Sequence, residues 1–347
     1  MAGTGTAHLR DTDDILLRIE DLVVEFHTSA GVVHAVSGIS LDVREGETLG
    51  LVGESGCGKS TTGRAIMQLP APTSGRVLFE GIDLAAIDDQ KLREVRTRLQ
   101  FIFQDPISSL NPRRKVKDIV AEPLRIWKRG TEDERKARVR EVLDAVGLDP
   151  DIASDKRPHQ FSGGQCQRIS IARSLVLDPK VVICDEPVSA LDVSVQAQIL
   201  NLLEDMKARY GLTLIFIAHD LAVVKNISDR VAVMYLGKIC EVGNPDELYA
   251  TPAHPYTAAL LRSIPVPDPT VAPVQSGLLQ GDLPSPIDPP AGCRFRTRCP
   301  LAQERCAVEE PKIRAVADDH YVACHFPILG NPAPAADTPV EVGTSAP

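Results

Sequence analysis

Residues 53–61 read G-E-S-G-C-G-K-S-T, and the fold follows from how that stretch is read. It satisfies G-x-x-x-x-G-K-[ST] through Gly53, Gly58, Lys59 and Ser60, with Gly56 as a further flexible point. Residues 47–52 before it (E-T-L-G-L-V) form a short apolar run suited to a buried strand, and residues 61–69 after it read as a helix. Strand, glycine loop and helix are the context this motif requires. Glycines let the backbone wrap a phosphate chain with successive N–H groups pointing inward, and the helix start adds the positive end of a dipole. Lys59 is expected to reach the β- and γ-phosphates of a nucleotide, and Ser60 to hold Mg²⁺ through its hydroxyl. The bland reading is a glycine turn beside a chance lysine; the number of matched positions and their context weigh against it.

The chain around this loop has 347 residues, 43% hydrophobic and 24% charged, enough for one main domain and an appendage. No apolar run approaches the roughly 20 residues that span a bilayer. Residues 1–14 lack the apolar centre of a signal peptide. The expectation is a cytosolic protein able to dock on a membrane protein. A net charge of −9 argues against nucleic-acid binding, which needs a basic face. Eight cysteines in such a chain are expected as reduced thiols or metal ligands rather than disulfides.

In order along the chain, residues 15–26 and 32–43 alternate apolar and polar like half-buried antiparallel strands, with residues 29–31 as their turn. Phe26 ends the first, where an aromatic either stacks on an adenine ring or is an ordinary edge residue. Residues 75–83 read as a strand and turn. Residues 99–103 read as a short buried strand that ends at Gln104-Asp105-Pro106, where proline breaks regular structure. Residues 122–147 carry one helical pattern closed by Gly147, an insertion beside the nucleotide core. F-S-G-G-Q at 161–165 opens a helix through Leu177, with Ser162 as N-cap and two glycines exposing N–H groups, a second anion site. V-V-I-C at 181–184 then runs into Asp185-Glu186, a buried strand that delivers two carboxylates to its carboxyl end, where ligands of such sheets bind. Asp185 is expected to bind Mg²⁺ through water, and Glu186 to polarise the attacking water. S-A-L-D at 189–192 turns into a helix over 194–209, and the apolar strand 213–218 ends at His219, placed to reach the γ-phosphate.

This ordered set resembles the ATP-binding-cassette (ABC) ATPases over about residues 15–265. The resemblance implies an α/β fold: an ABC-type P-loop NTPase core, an antiparallel β-subdomain, a helical subdomain over about residues 104–177 and a small Cys-rich C-terminal extension. It implies that two cassettes pack head to tail. Each ATP then lies between one glycine loop (Gly53, Glu54, Ser55, Gly56, Cys57, Gly58, Lys59, Ser60, Thr61) and the partner's Ser162, Gly163, Gly164 and Gln165. Gln104 matches the loop that senses Mg²⁺ and contacts the membrane subunit, Asp192 the dimer-contact loop, His219 the switch histidine and Phe26 the adenine-stacking aromatic. Glu186, His219 and Gln104 are the expected catalytic set, with ATP and Mg²⁺ as cofactors and Ser60, Gln104 and Asp185 toward the metal. Phe161 departs from the commoner leucine, and Cys166 from a usual polar or basic residue. One glycine loop leaves part of the γ-phosphate facing solvent, so a partner's helix start is needed to complete charge stabilisation.

Beyond the cassette, H-P-Y-T-A-A-L-L at 254–261 and D-P-I-S-S-L-N-P at 105–112 resemble ATPases of oligopeptide, dipeptide and nickel importers. Residues 264–290 read as a proline-rich linker, 291–328 as a Cys-rich module of the oligopeptide-transporter type and 329–347 as disordered. Cys293, Cys299, Cys306 and Cys324 cluster in that module, which suggests a metal holding together what a small core does not. Their spacing is not the paired C-x₂-C of zinc ribbons, and all-thiolate ligation suits an iron–sulfur cluster; zinc and free or paired thiols stay open. Arg294, Arg296, Arg298 and Arg305 are expected to offset the charge of an anionic site. Similar tails in peptide-importer ATPases imply a 4Fe-4S cluster.

The expected protein is the ATP-hydrolysing subunit of a peptide importer, with a flexible N-terminus over 1–14 and the cassette over 15–263. It would lie peripherally at the cytoplasmic face of the inner membrane, paired with a paralogous second cassette, beneath two permease subunits supplied by an extracytoplasmic peptide-binding protein. An importer for nickel or another small solute shares these motifs. A soluble ABC ATPase acting on DNA or ribosomes would carry coiled coils, tandem cassettes or basic inserts. A module in which nucleotide only regulates assembly would not need Glu186 and His219.

Overall fold

The protein is described by a computed structural model over residues 4–264 and 281–329. Its strands, in chain order, are β1 (Ile15–Thr28), β2 (Gly31–Arg44), β3 (Thr48–Val52), β4 (Ser74–Phe79), β5 (Ile82–Asp83) and β6 (Leu99–Ile102). They continue with β7 (Val181–Asp185), β8 (Thr213–Ala218), β9 (Arg230–Tyr235), β10 (Lys238–Gly243), β11 (Arg314–Ala317) and β12 (His320–Val322). One sheet is antiparallel in the order β2-β1-β4-β5; the other runs β11-β12-β10-β9-β3-β8-β7-β6.

In the larger sheet β6, β7, β8, β3 and β9 are parallel. Every residue of β3, β7 and β8 is buried, because helices cover one face of the sheet while the antiparallel sheet and the helix Lys59–Ile66 cover the other, and their sequences therefore read as unbroken apolar runs. A Cβ at Gly50 of β3 would meet Val224 Cγ1 at 2.4 Å and Ser228 Oγ at 2.5 Å, so glycine lets the helix Leu221–Ile227 close on the strand. Parallel direction also brings the carboxyl ends of β6, β7, β8 and β3 to one edge. Gln104, Asp185-Glu186, His219 and Gly53 all lie there, covalently attached to those ends.

Several expectations change in three dimensions. Residues 122–147 form parts of two helices, Val116–Ile126 and Glu132–Ala145. The break falls at Gly130, with φ +68°, and at Thr131, whose hydroxyl accepts the Glu134 N–H while the Glu134 carboxylate accepts the Thr131 N–H at 2.6 Å. Residues 75–83 divide into β4 and β5 at Glu80-Gly81. Within residues 1–14, expected to be flexible, His8 and Arg10 are anchored. His8 is buried with Nε2 2.6 Å from the Ser40 carbonyl, and Arg10 pairs with Asp42 at 2.8 Å and Glu47 at 2.5 Å. Arg230 joins the same Asp42 oxygen at 2.5 Å.

The Cys-rich segment is continuous with the main sheet. Its β11–β12 hairpin pairs with β10 through Glu241↔Val322 and Val242↔Tyr321. Of the proline-rich linker, residues 265–280 lie outside the described residues, as do 330–347 of the expected disordered tail. The remainder of the linker rests on β2, where the Pro286 carbonyl accepts the His34 N–H at 2.9 Å. Among the described residues no helix is long and apolar enough to cross a membrane.

Candidate functional site

β3 ends at Val52 and the glycine loop turns the chain into the helix Lys59–Ile66. Glycine is required at both ends of the loop because neighbouring strands pass directly behind it. A Cβ at Gly53 would stand 2.1 Å from the Met234 carbonyl oxygen, and one at Gly58 (φ +108°) 2.2 Å from that of Ala35. Lys59 is buried, and its ammonium donates to the carbonyls of Gly53 at 2.7 Å and Glu54 at 2.9 Å. Cys57 packs into the core, where burial pushes its thiol up.

The Ser60 hydroxyl donates to Asp185 Oδ1 at 2.6 Å. Asp185 is fully buried, its Oδ2 has no hydrogen-bond partner, and Arg64 Nη2 stands 4.0 Å from that atom. Burial pushes the carboxyl up, while the Ser60 hydroxyl and Arg64 pull against it. An orphaned buried carboxylate oxygen beside a serine hydroxyl is an all-oxygen set that suits a hard divalent cation, so these two residues fit Mg²⁺.

Next in the chain, Glu186 adopts φ +47°, a left-handed conformation that costs a non-glycine residue on the order of 1–3 kcal/mol. It is held there by its N–H on the Ile217 carbonyl at 2.9 Å and by the Ser189 hydroxyl on its own carbonyl at 3.1 Å. The Gln104 amide donates to Glu186 Oε2 at 3.0 Å, and His219 Nδ1 lies 3.2 Å from the same oxygen. Three residues from the ends of three adjacent strands thus meet at one carboxylate. Gln104, expected toward the metal, bonds to Glu186 rather than to the Ser60–Asp185 pair.

Other expected residues stand apart. Ser162 caps the helix Gly163–Leu175: its hydroxyl accepts the Gln165 N–H at 3.3 Å, and Gln165 Oε1 accepts the Ser162 N–H at 3.0 Å. A Cβ at Gly164 would lie 2.5 Å from Val195 Cγ1, so glycine is needed where that helix start passes the helix Val193–Tyr210. Asp192 begins the latter helix without a side-chain cap bond. Among the described residues no hydrogen bond or ion pair joins Ser162, Gly163, Gly164, Gln165 or Asp192 to the glycine loop of their own chain. Phe26 is exposed near the end of β1. Phe161 packs against the core, and Cys166 is a core residue whose S–H donates to the Pro158 carbonyl at 3.5 Å.

Two contacts to the loop come from residues whose part the sequence does not reveal. His254 caps the helix Pro255–Arg262 by accepting the Tyr256 N–H at 3.0 Å, and burial pulls its imidazole down to about 4. Glu241, fully buried in β10, accepts the N–H groups of Ala253 at 2.6 Å and His254 at 2.9 Å, and His320 Nε2 lies 2.6 Å from it. This fixes the H-P-Y turn so that the Tyr256 hydroxyl accepts the Glu54 N–H at 2.9 Å. Arg298, from the Cys-rich segment, forms a two-pronged pair with the Glu54 carboxylate at 2.8 and 3.0 Å. A residue 244 positions away leaves no local signal of this contact.

Cys293, Cys299, Cys306 and Cys324 line one small cavity together with His254, Phe295, Arg296 and Phe326. Burial pushes the thiols of Cys293 up to about 11 and Cys324 up to about 12. Among the described residues no three Cys, His, Asp or Glu side chains converge as a metal site requires, so neither the expected iron–sulfur cluster nor the zinc alternative is supported by the arrangement of these side chains. Four thiols around one space match the donor type of an iron–sulfur cluster in kind. The expected arginine compensation is also revised. Arg298 serves Glu54, Arg305 pairs with Glu309 at 2.7 Å and Arg294 donates to the Leu236 carbonyl, while Arg296 lines the cavity.

The family described as ABC transporter matches residues 36–189, and the oligopeptide/dipeptide transporter C-terminal region matches residues 240–306. The oligopeptide transport ATP-binding protein OppF of Salmonella typhimurium is 52% identical over 322 residues, covering 89% of this chain and 96% of its own. AppF of Bacillus subtilis, also an oligopeptide transport ATP-binding protein, is 51% identical over 303 residues, covering 87% and 92%. The solved ATP-binding cassette MJ0796, a dimer bound to ADP and Pi, superposes with a TM-score of 0.61 at 29% identity over 66% of this chain and 98% of its own.

Proposed function

The chain belongs to the ABC transporter ATPases, and from that premise we propose that it is the ATP-hydrolysing subunit of a peptide importer. Similarity to oligopeptide transport ATPases along nearly their whole length supports the cargo class. The N–H groups of residues 53–61 would receive the phosphates, and the Lys59 ammonium has three N–H donors, enough for a phosphate oxygen beside two carbonyls. Ser60 and Asp185 would hold Mg²⁺, which when bound would supply positive charge to offset the negative charge developing on the phosphates. Glu186 would accept a proton from the attacking water, with Gln104 and His219 orienting its Oε2. The observation that carries this reading is the meeting of Gln104, Glu186 and His219 at one oxygen, one residue along the chain from the Ser60–Asp185 pair.

A dimer completes the site. The helix start at Ser162 and the turn at Asp192 make no bond to their own glycine loop, and a related cassette is a dimer. The second cassette is a paralogous chain in this reading. Phe103 and Ile107, exposed beside Gln104, would offer apolar contacts to the permease subunits, as would Ile126 on the helical insertion at 68% exposure. In this reading the protein lies peripherally on the cytoplasmic face of the membrane, with the peptide-binding protein on the far side. The cavity of Cys293, Cys299, Cys306 and Cys324 would hold an iron–sulfur cluster of structural rather than catalytic role; four thiols lining one space, alongside His254 and His325, support that finer reading.

The test is Glu186→Gln in the full chain. Mg-ATP binding persists, hydrolysis falls by about 10²-fold or more, and ATP-held dimers accumulate in light scattering. Hydrolysis at the parent rate would remove Glu186 from the reaction.

A further inference from the structure

Glu54 is the one acid in the loop 53–61, a loop that on the preceding reading must admit a polyanion. An unpaired carboxylate there repels the phosphates. Every polar part of Glu54 is held: its N–H by the Tyr256 hydroxyl at 2.9 Å, its carbonyl by the Lys59 ammonium at 2.9 Å and both carboxylate oxygens by Arg298. The Arg298 side chain is 5% exposed and lies over the Tyr235 ring at 5.8 Å. Tyr235, Tyr256 and Phe295 pack ring against ring with centroids 4.7–5.4 Å apart, a rigid wall between the Cys-rich segment and the loop. A guanidinium fork on a carboxylate fixes direction as well as charge. Cys299, next in the chain, lines the cysteine cavity, so the guanidinium is delivered to the loop by the folded Cys-rich segment.

We infer that Arg298 is a positioning residue for nucleotide binding: it neutralises Glu54 and pins the glycine loop in the shape that receives the triphosphate. The inference rests on the reading of residues 53–61 as the nucleotide loop. A pair that merely docks the tail would give the same contact but a different mutational pattern.

The dissociation constant of a fluorescent ATP analogue with Mg²⁺ is measured on the full chain for the parent, Arg298→Ala, Glu54→Gln and the double variant. Arg298→Ala weakens binding about tenfold when Glu54 is present and less than about twofold in the Glu54→Gln background, because the repulsive carboxylate has gone. In steady state the loss falls on KM more than on kcat. Arg298→Lys keeps the charge but not the fork; its loss of about threefold carries the comparison should the alanine variant not fold. Equal losses in both backgrounds, or none in either, overturn the inference while leaving the nucleotide site intact. A parent that binds no nucleotide overturns the site and the inference with it.

Discussion

Replacing Ser60 by alanine removes a single oxygen whose work the structure defines. The hydroxyl is the hydrogen-bond partner of Asp185 at 2.6 Å, and the other Asp185 oxygen has none. Without it the fully buried carboxylate keeps only Arg64 at 4.0 Å, a side chain that is itself half exposed. A hydrogen bond to a charged group contributes about 1.5–3 kcal/mol. The same oxygen is the one assigned to Mg²⁺, and loss of an ion contact of similar worth should raise the Mg²⁺ needed to support nucleotide binding roughly ten- to 150-fold. The assay is a Mg²⁺ titration at fixed ATP analogue, with thermal melting run alongside. Ser60→Thr retains a hydroxyl and should retain most of the response. An unchanged Mg²⁺ requirement in a folded Ser60→Ala protein would refute the assignment of the Ser60–Asp185 pair to the metal.

Three other outcomes are expected. Gly164→Ala places a Cβ 2.5 Å from Val195 Cγ1 and tilts the helix start that serves a partner's ATP, so phosphate release should slow about tenfold or more; the parent rate would detach residues 162–165 from the reaction. Anaerobic purification followed by iron and acid-labile sulfide assay should give about four of each per chain, and a colourless protein with one zinc would overturn the cluster. Burial pushes the Asp42 carboxyl up, but Arg230 and Arg10 pull harder and leave it below 3.8. Its contribution to stability is therefore complete above pH 3.8 and is lost as pH falls through the lower folded value. Melting temperature should drop steeply below that pH in the parent and less steeply in Asp42→Asn, which is already destabilised at neutral pH; parallel curves would show that Asp42 does not carry the acid sensitivity.

Much of the nucleotide site is legible because its residues are covalent neighbours of strands that announce themselves. β3, β7 and β8 are buried on both faces, so their unbroken apolar runs stand out, and whatever follows each run must lie at a strand end. Gly53, Asp185, Glu186 and His219 are found that way. The helix break at Gly130-Thr131 was written in T-E-D-E as a capping box, but the longer amphipathic pattern masked it. His8 and Arg10 sit in a polar, acidic stretch that looks mobile until Asp42, Glu47 and Ser40 are brought beside it.

The amino-acid sequence by itself determined the glycine loop, the acids that follow the apolar runs and the membership of a family, since all of these are local spacings and the backbone reads local spacing directly. Only the tertiary structure decided which strand ends are neighbours, and so that Gln104, Glu186 and His219 share one oxygen. It alone decided that β12 completes the main sheet beside β10, and that Tyr256 and Arg298 close on Glu54. Such contacts join residues tens to hundreds of positions apart, and no periodicity encodes them. They come from the packing of the Tyr235–Tyr256–Phe295 wall and the pairing of strand edges, which exist only once the chain has folded.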